Sequence, residues 1–268
     1  MSTSPAPLAS LDVDSTRPPE FSRAHLLYLW LAAVYVTSLV VANMIGVKLF
    51  KVPFGGDFEI PMPWPFKPID GISHTVGMLP FPVTFVLTDL LNEYYGSKSA
   101  RRVVYVAFAM GALTFAFLWI ARLLPTLEGI PGTASHEAFE MIFGSASKMY
   151  IASLLAFLAG SILDIFVFRL FKSMTGGKYV WLRATGSTVI AQVFDSFLVT
   201  VLFFRFGNMV SGLEPAPWGA ILEIAMTGYV LKFVIAIALT PAIYAGRWMI
   251  REWVGLKPLP IEGPRGVM

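Results

Sequence analysis

The stretch "LTDLLNEYYGSKSARR", Leu87 to Arg102, closes a long apolar run with a cluster of polar groups. It packs Asp89, Asn92, Glu93, Lys98, Arg101 and Arg102 into sixteen residues. The chain around it could hardly be less polar. Of its 268 residues 56% are hydrophobic and 14% charged, with a mean hydropathy of +0.68. Soluble domains carry roughly 25% charged residues. The deficit assigns the chain to a membrane, so each polar group beside an apolar run needs a reason.

Crossing a hydrocarbon core of about 30 Å takes about 20 apolar residues as a helix. Six runs reach that length: Leu26 to Leu49, Ile72 to Tyr95, Val103 to Leu124, Met149 to Phe171, Ala184 to Phe206 and Trp218 to Ile250. The expected fold is an all-α integral membrane protein of six transmembrane helices. Pro80 and Pro82 in "MLPFPVTF" predict a break or kink in the second run. Residues 1–24 read as a disordered tail, 25–250 as the transmembrane unit and 251–268 as a second tail. The loop "KVPFGGDFEIPMPWPFKPIDG" reads as an interfacial hairpin or a re-entrant cap.

The cations orient these runs. Thirteen Lys and Arg lie on the side that holds both tails and "SKSARR", and six lie on the other side. Positive charge stays inside, which places both termini in the cytoplasm. Lys98, Arg101 and Arg102 are then an anchor at the inner end of the second run. The expected location is the cell inner (plasma) membrane, crossed several times.

Several groups do not belong in lipid. Asp164, Asp195 and Lys232 fall inside spans, where each charge costs roughly 2.5–3.5 kcal/mol. They must face protein, pair or be neutralised. Ala152, Ala156, Gly160 and Asp164 follow at four-residue spacing, a small-residue face that lets helices approach. Thr188, Gln192, Asp195 and Ser196 make a polar stripe on the fifth run. On the sixth, Lys232 shares a face with Gly228 and Ala236, with Tyr229 beside it. Asn43 is the strong polar group of the first. Phe81, Phe85, Asp89 and Glu93 fall on one face of the second. An ion-pair network that only locks helices together is the alternative reading of Asp164, Asp195 and Lys232. For Gln192 beside Asp195 a binding role fits better, because amide and carboxylate together offer donors and acceptors to a flat polar heterocycle.

Other chemistries are excluded or disfavoured. There is no cysteine, and His25, His74 and His136 have no ligand-like spacing, so no metal or cofactor site is expected. The cations flank apolar runs and form no stripe for nucleic acid. An intramembrane enzyme using Asp89 and Glu93 lacks a nucleophile–base set and an H-E-x-x-H.

"TDLLNEYYGSKSARR" also resembles the signature of the queuosine precursor transporter family, or vitamin uptake transporter family. The resemblance continues through "GSILDIFVF" (Gly160 to Phe168), "STVIAQVFDSFLVTVLFF" (Ser187 to Phe204) and "YVLKFVIAIALTPAIY" (Tyr229 to Tyr244). It implies a six-helix fold like the substrate-binding components of energy-coupling-factor transporters. It also implies import of the 7-cyano or 7-aminomethyl 7-deazaguanine. The resemblance and the polar pattern together nominate Asn43, Phe85, Asp89, Glu93, Asp164, Gln192, Asp195, Tyr229 and Lys232 as substrate-binding. Asp195 or Asp89 would accept from the guanine-like edge, and Gln192, Asn43 or Lys232 would donate to its carbonyl. Phe85 or Tyr229 would stack. A substrate-binding subunit for another vitamin-like compound is the alternative. No G-x-x-x-x-G-K-[ST] is present, so an energising module on another chain stays open, as does a homo-oligomer.

Overall fold

The computed structural model describes residues 21–46, 48–53, 55, 59, 61, 71–127, 130, 135–144, 147–176, 178–210 and 212–260. Most of the N-terminal tail, much of the Pro-rich loop and residues 261–268 lie outside the described residues. Helix α1 spans Arg23–Ile45, capped at its start by Ser22, whose hydroxyl accepts from the His25 amide. Strands β1 (Leu49–Pro53) and β2 (Gly71–Thr75) then pair antiparallel. The expected first and second runs are therefore trimmed. Leu49 belongs to a strand, and so do residues 72–75. The hairpin, one of the two forms expected of this loop, is the strand structure among the described residues.

Helix α2 covers Phe81–Leu123. The prolines do not break it; they start it. Pro80 is the N-cap and Pro82 lies in the first turn, where the missing N–H has no intrahelical acceptor. The break comes at Gly96, with φ 79° and ψ 165°. That conformation belongs almost only to glycine.

The arms on either side of Gly96 run in opposite directions along α4 (Ser147–Met174). In the first arm Phe81 packs on Phe157, and further along Asn92 donates to the Ile165 carbonyl. In the second arm Arg101 lies near Arg169, whereas Gly111 and Phe115 meet Tyr150. The chain reverses at Gly96. Both arms and α4 pack on Tyr35 and Leu39 of α1, which form one core cluster with Leu91, Val104, Ala107 and Ile165.

The short helix α3 (His136–Phe139) and a π turn at Glu140–Gly144 lead into α4. Helix α5 (Val180–Thr200) returns along α4 and passes through a π segment, Val201–Gly207, to the short α6 (Asn208–Val210). Helix α7 is Trp218–Ala238, and α8 is Thr240–Met249 with a terminal π turn to Val254. The long sixth run is thus two helices, separated at Leu239 just ahead of Pro241. Five helical stretches are long and apolar enough to cross a membrane: Arg23–Ile45, Val76–Leu123, His136–Met174, Val180–Gly207 and Trp218–Val254. The chain is an α-helical, multi-pass membrane protein.

One end of the bundle gathers the start of α1, the Gly96 reversal, the end of α4, the start of α5 and the segment after α8. Tyr95 donates to the Ala24 carbonyl, and Tyr28 to that of Ser99. The Leu259 amide donates to the Glu93 carbonyl, and Lys172 to the Leu259 carbonyl. These are the segments that the cation count put on one side. The Arg122–Glu140 ion pair lies toward the opposite end.

Candidate functional site

A narrow cleft, with room for about one water molecule, opens between the first arm of α2, α4 and α5. Phe81, Phe85 and Thr88 line it from α2. Phe157, Gly160, Ser161 and Asp164 line it from α4, and Ala191, Gln192 and Asp195 from α5. The helical periods explain this convergence. Phe81, Phe85 and Thr88 share one face of α2, Phe157, Gly160, Ser161 and Asp164 one face of α4, and Ala191, Gln192 and Asp195 one face of α5. Gly160 sets the spacing, since a Cβ there would lie 3.3 Å from the Asp195 Cβ.

The cleft sets an aromatic wall against a polar one. Phe81 and Phe85 meet edge to face at 5.0 Å, and Phe157 lies 6.5 Å from Phe81, so one wall is aromatic. The other wall is polar. Asp195 is buried and its Oδ2 accepts from Lys232 Nζ at 2.5 Å. Lys232 also lies 5.8 Å from the Phe81 ring centroid. Asp164 Oδ1 accepts from the hydroxyls of Ser187 at 2.7 Å and Thr188 at 3.4 Å. The Gln192 Oε1 is buried and has no hydrogen-bond donor among the described residues. A buried acceptor left unmet costs about 1–3 kcal/mol, which a ligand N–H in the cleft would recover.

Phe85, Asp164, Gln192 and Asp195 therefore share one cleft, with Lys232 on its rim. The other nominated residues lie elsewhere. Asn43 donates to the Leu39 carbonyl of its own helix at 2.9 Å and faces Phe115, Trp119 and Arg122. Tyr229 is half-buried against Phe233. Asp89 is buried one turn beyond Phe85, and neither carboxylate oxygen has a donor among the described residues.

Glu93 sits at the hub of a separate cluster. Arg183 Nη2 lies 2.6 Å from its Oε1, Arg247 Nη1 3.1 Å from the same atom, and Lys172 Nζ 3.3 Å from Oε2. Arg101 and Arg102, the cations that follow Glu93 within α2, do not take this role. Arg101 donates to the Ser97 carbonyl within its own helix, and Arg102 is exposed. Sequence reasoning counted Arg183, Lys172 and Arg247 as loop cations and missed the cluster. A signal for Arg183 was present: Arg183, Ser187, Ala191 and Asp195 recur every four residues on the buried stripe of α5. Among the described residues no three His, Asp or Glu are grouped to hold a metal ion.

Residues 75–246 match the family model described as "Putative vitamin uptake transporter". The chain is 35% identical over 185 residues to the "Probable queuosine precursor transporter" of Bacillus subtilis (strain 168), covering 67% of this chain and 74% of that one. It is 25% identical over 174 residues to the "Queuosine precursor transporter" of Escherichia coli (strain K12), covering 65% and 72%. It is 21% identical over 224 residues to the "Probable queuosine precursor transporter" of Haemophilus influenzae (strain ATCC 51907 / DSM 11121 / KW20 / Rd), covering 81% and 84%. No solved structure matches.

Proposed function

The chain belongs to the vitamin uptake transporter family, and from that premise we propose that it imports the 7-deazaguanine precursors of queuosine across the inner membrane. The observation that carries the substrate reading is the cleft. It sets the unmet Gln192 acceptor beside Asp195 and Lys232, opposite the rings of Phe81 and Phe85. A 7-deazaguanine is planar, and its N1–H and exocyclic amine form a donor pair. Asp195 accepts that pair in a fork, Gln192 takes a further ring N–H, and Lys232 turns from Asp195 to the ligand carbonyl. The phenyl rings cover the heterocycle face. Much of the cleft is too thin for more than about one water molecule, so loading requires α7 to move Lys232 off its rim.

We read six crossings, with both termini inside. Two features support this: the reversal at Gly96 and the grouping of cation-rich segments at one end. Ser97–Leu123 rises about 40 Å and crosses alone, whereas Phe81–Tyr95 rises about 22 Å and reaches a span's length only with the 3-10 turn Val76–Met78 ahead of it. The chain acts as a carrier and not as a catalyst. Among the described residues the acids of the cleft face hydroxyls, an amide and an ammonium group, and no imidazole lines it.

The test is uptake in cells that cannot make deazaguanines but can complete queuosine from them. Their tRNA should acquire queuosine from an external precursor only when this chain is expressed. Asp195→Asn and Gln192→Leu should each remove that dependence at normal membrane levels of protein. Full queuosine in both variants would overturn the site; no queuosine with abundant wild-type protein would overturn the function.

A further inference from the structure

The transport reading leaves Asp89 without a task. It lies one turn below Phe85 of the cleft and one turn above Glu93 of the ion cluster, on the same face of α2. Its residue is 2% exposed, and neither oxygen meets a donor among the described residues. The groups around it are committed to other partners. Glu93, on its own helix, takes Arg183 from α5, Arg247 from α8 and Lys172 from α4. Lys232 of α7 is on Asp195. The Ser187 and Thr188 hydroxyls are on Asp164, and the Thr88 hydroxyl is on the Thr84 carbonyl. From α1, Tyr35 shares its hydroxyl with Ser161. The charged groups that act on Asp89 are Asp164, then Glu93, then Arg183. One of these, Asp164, is a second carboxylate, which itself lines the cleft.

An ionised carboxylate in that position is stabilised by no hydrogen bond and repelled by Asp164, and its burial costs several kcal/mol. A buried acid so placed resolves this by holding a proton. A metal cation is a poorer answer, because it requires a shell of several oxygens and the nearby hydroxyls are taken. We propose that Asp89, backed by Asp164, is a proton-carrying site that couples precursor uptake to a proton gradient. The proton comes from water on the outer side, resides on Asp89 while the cleft is occluded, and leaves to water on the inner side with the substrate. No bond other than O–H is made or broken. The Glu93 cluster lies between Asp89 and the inner end, so its cations favour release of the proton inward.

This inference rests on the transport reading, and one experiment separates the two. Purified full-length protein is reconstituted in liposomes and given labelled 7-cyano-7-deazaguanine with acid outside. One pH unit should drive accumulation of about tenfold per coupled proton, abolished by a protonophore and unchanged when sodium replaces potassium. Precursor addition should also alkalinise the outer medium. Asp89→Glu should retain the gradient response, and Asp89→Asn should lose it. Infrared difference spectra with and without precursor should show a protonated carboxyl band that changes frequency in Asp89→Glu. Equilibration without accumulation, accumulation that follows sodium, or a carboxyl band unmoved by Asp89→Glu overturns the proton site and leaves transport standing. No uptake under any gradient overturns the transport reading itself.

Discussion

Arg183 offers the sharpest test of what holds this bundle together. Its side chain is 2% exposed and lies 2.6 Å from a carboxylate that is itself 5% exposed. Removing one partner of such a buried pair costs about 3–5 kcal/mol, most of it for the charge left behind. In Arg183→Met the linear side chain keeps contact with the Phe168 ring, which now lies 5.8 Å from the guanidinium carbon. Glu93 also keeps Arg247 and Lys172, so the lower end of the range applies, about 3 kcal/mol. At 2–4 °C per kcal/mol for a unit of this size, the melting temperature should fall by about 6–12 °C. Arg247 is the control. Its side chain is 23% exposed, so Arg247→Met should cost only about 1 kcal/mol. Adding Glu93→Gln to Arg183→Met should restore part of the loss, giving a coupling of about 0.5–3 kcal/mol. The measurement is thermal unfolding of purified protein in one detergent. A shift under about 2 °C for Arg183→Met, or equal shifts for both arginines, would refute the buried-pair reasoning.

Gly96→Ala forces a Cβ into a region that only glycine occupies freely, and should cost about 1–3 kcal/mol in the same melt. An unchanged melt would mean that the reversal at this residue is wrong. Gly160→Val pushes on Asp195 across a gap that a single Cβ already narrows to 3.3 Å. Overpacking of about 1–3 kcal/mol should leave membrane levels near normal while uptake drops at least tenfold. Wild-type uptake would show that the cleft does not depend on this approach. Stopping the chain after Gly255 removes both hydrogen bonds of Leu259, together about 1–3 kcal/mol, and should lower the melting temperature correspondingly. No change would mean that the segment is not seated in solution.

Much of the site was legible because helical period is a strong signal. The four-residue spacing from Ala152 to Asp164 and the stripe through Thr188, Gln192 and Asp195 put two helices face to face, as found. Asn43 and Tyr229 were harder. A lone polar group on an apolar helix can bond its own backbone, and Asn43 does so. The break in α2 was misplaced for a physical reason. Proline breaks a helix it interrupts but starts one it leads, and "LPFP" leads. The glycine in "YYGSKS" carried the turn signal instead. The cation cluster stayed hidden because Lys172, Arg183 and Arg247 flank apolar runs, where a topological anchor and a buried partner look alike.

The hub at Glu93 has a consequence for the order in which the protein is made. Synthesis delivers Glu93 early, and its buried partner Arg183 follows 90 residues later. Arg247 follows at 154 residues, and the Leu259 amide that caps the Glu93 carbonyl comes later still. The first arm of α2 carries an uncompensated acid until Lys172 and Arg183 are made, and its Glu93 carbonyl waits for Leu259. This end of the bundle therefore cannot settle fully until Leu259 has emerged. A stalled or shortened chain should present an acid-bearing, half-inserted helix to membrane quality control, and a bulky carboxy-terminal fusion should delay assembly before it harms transport.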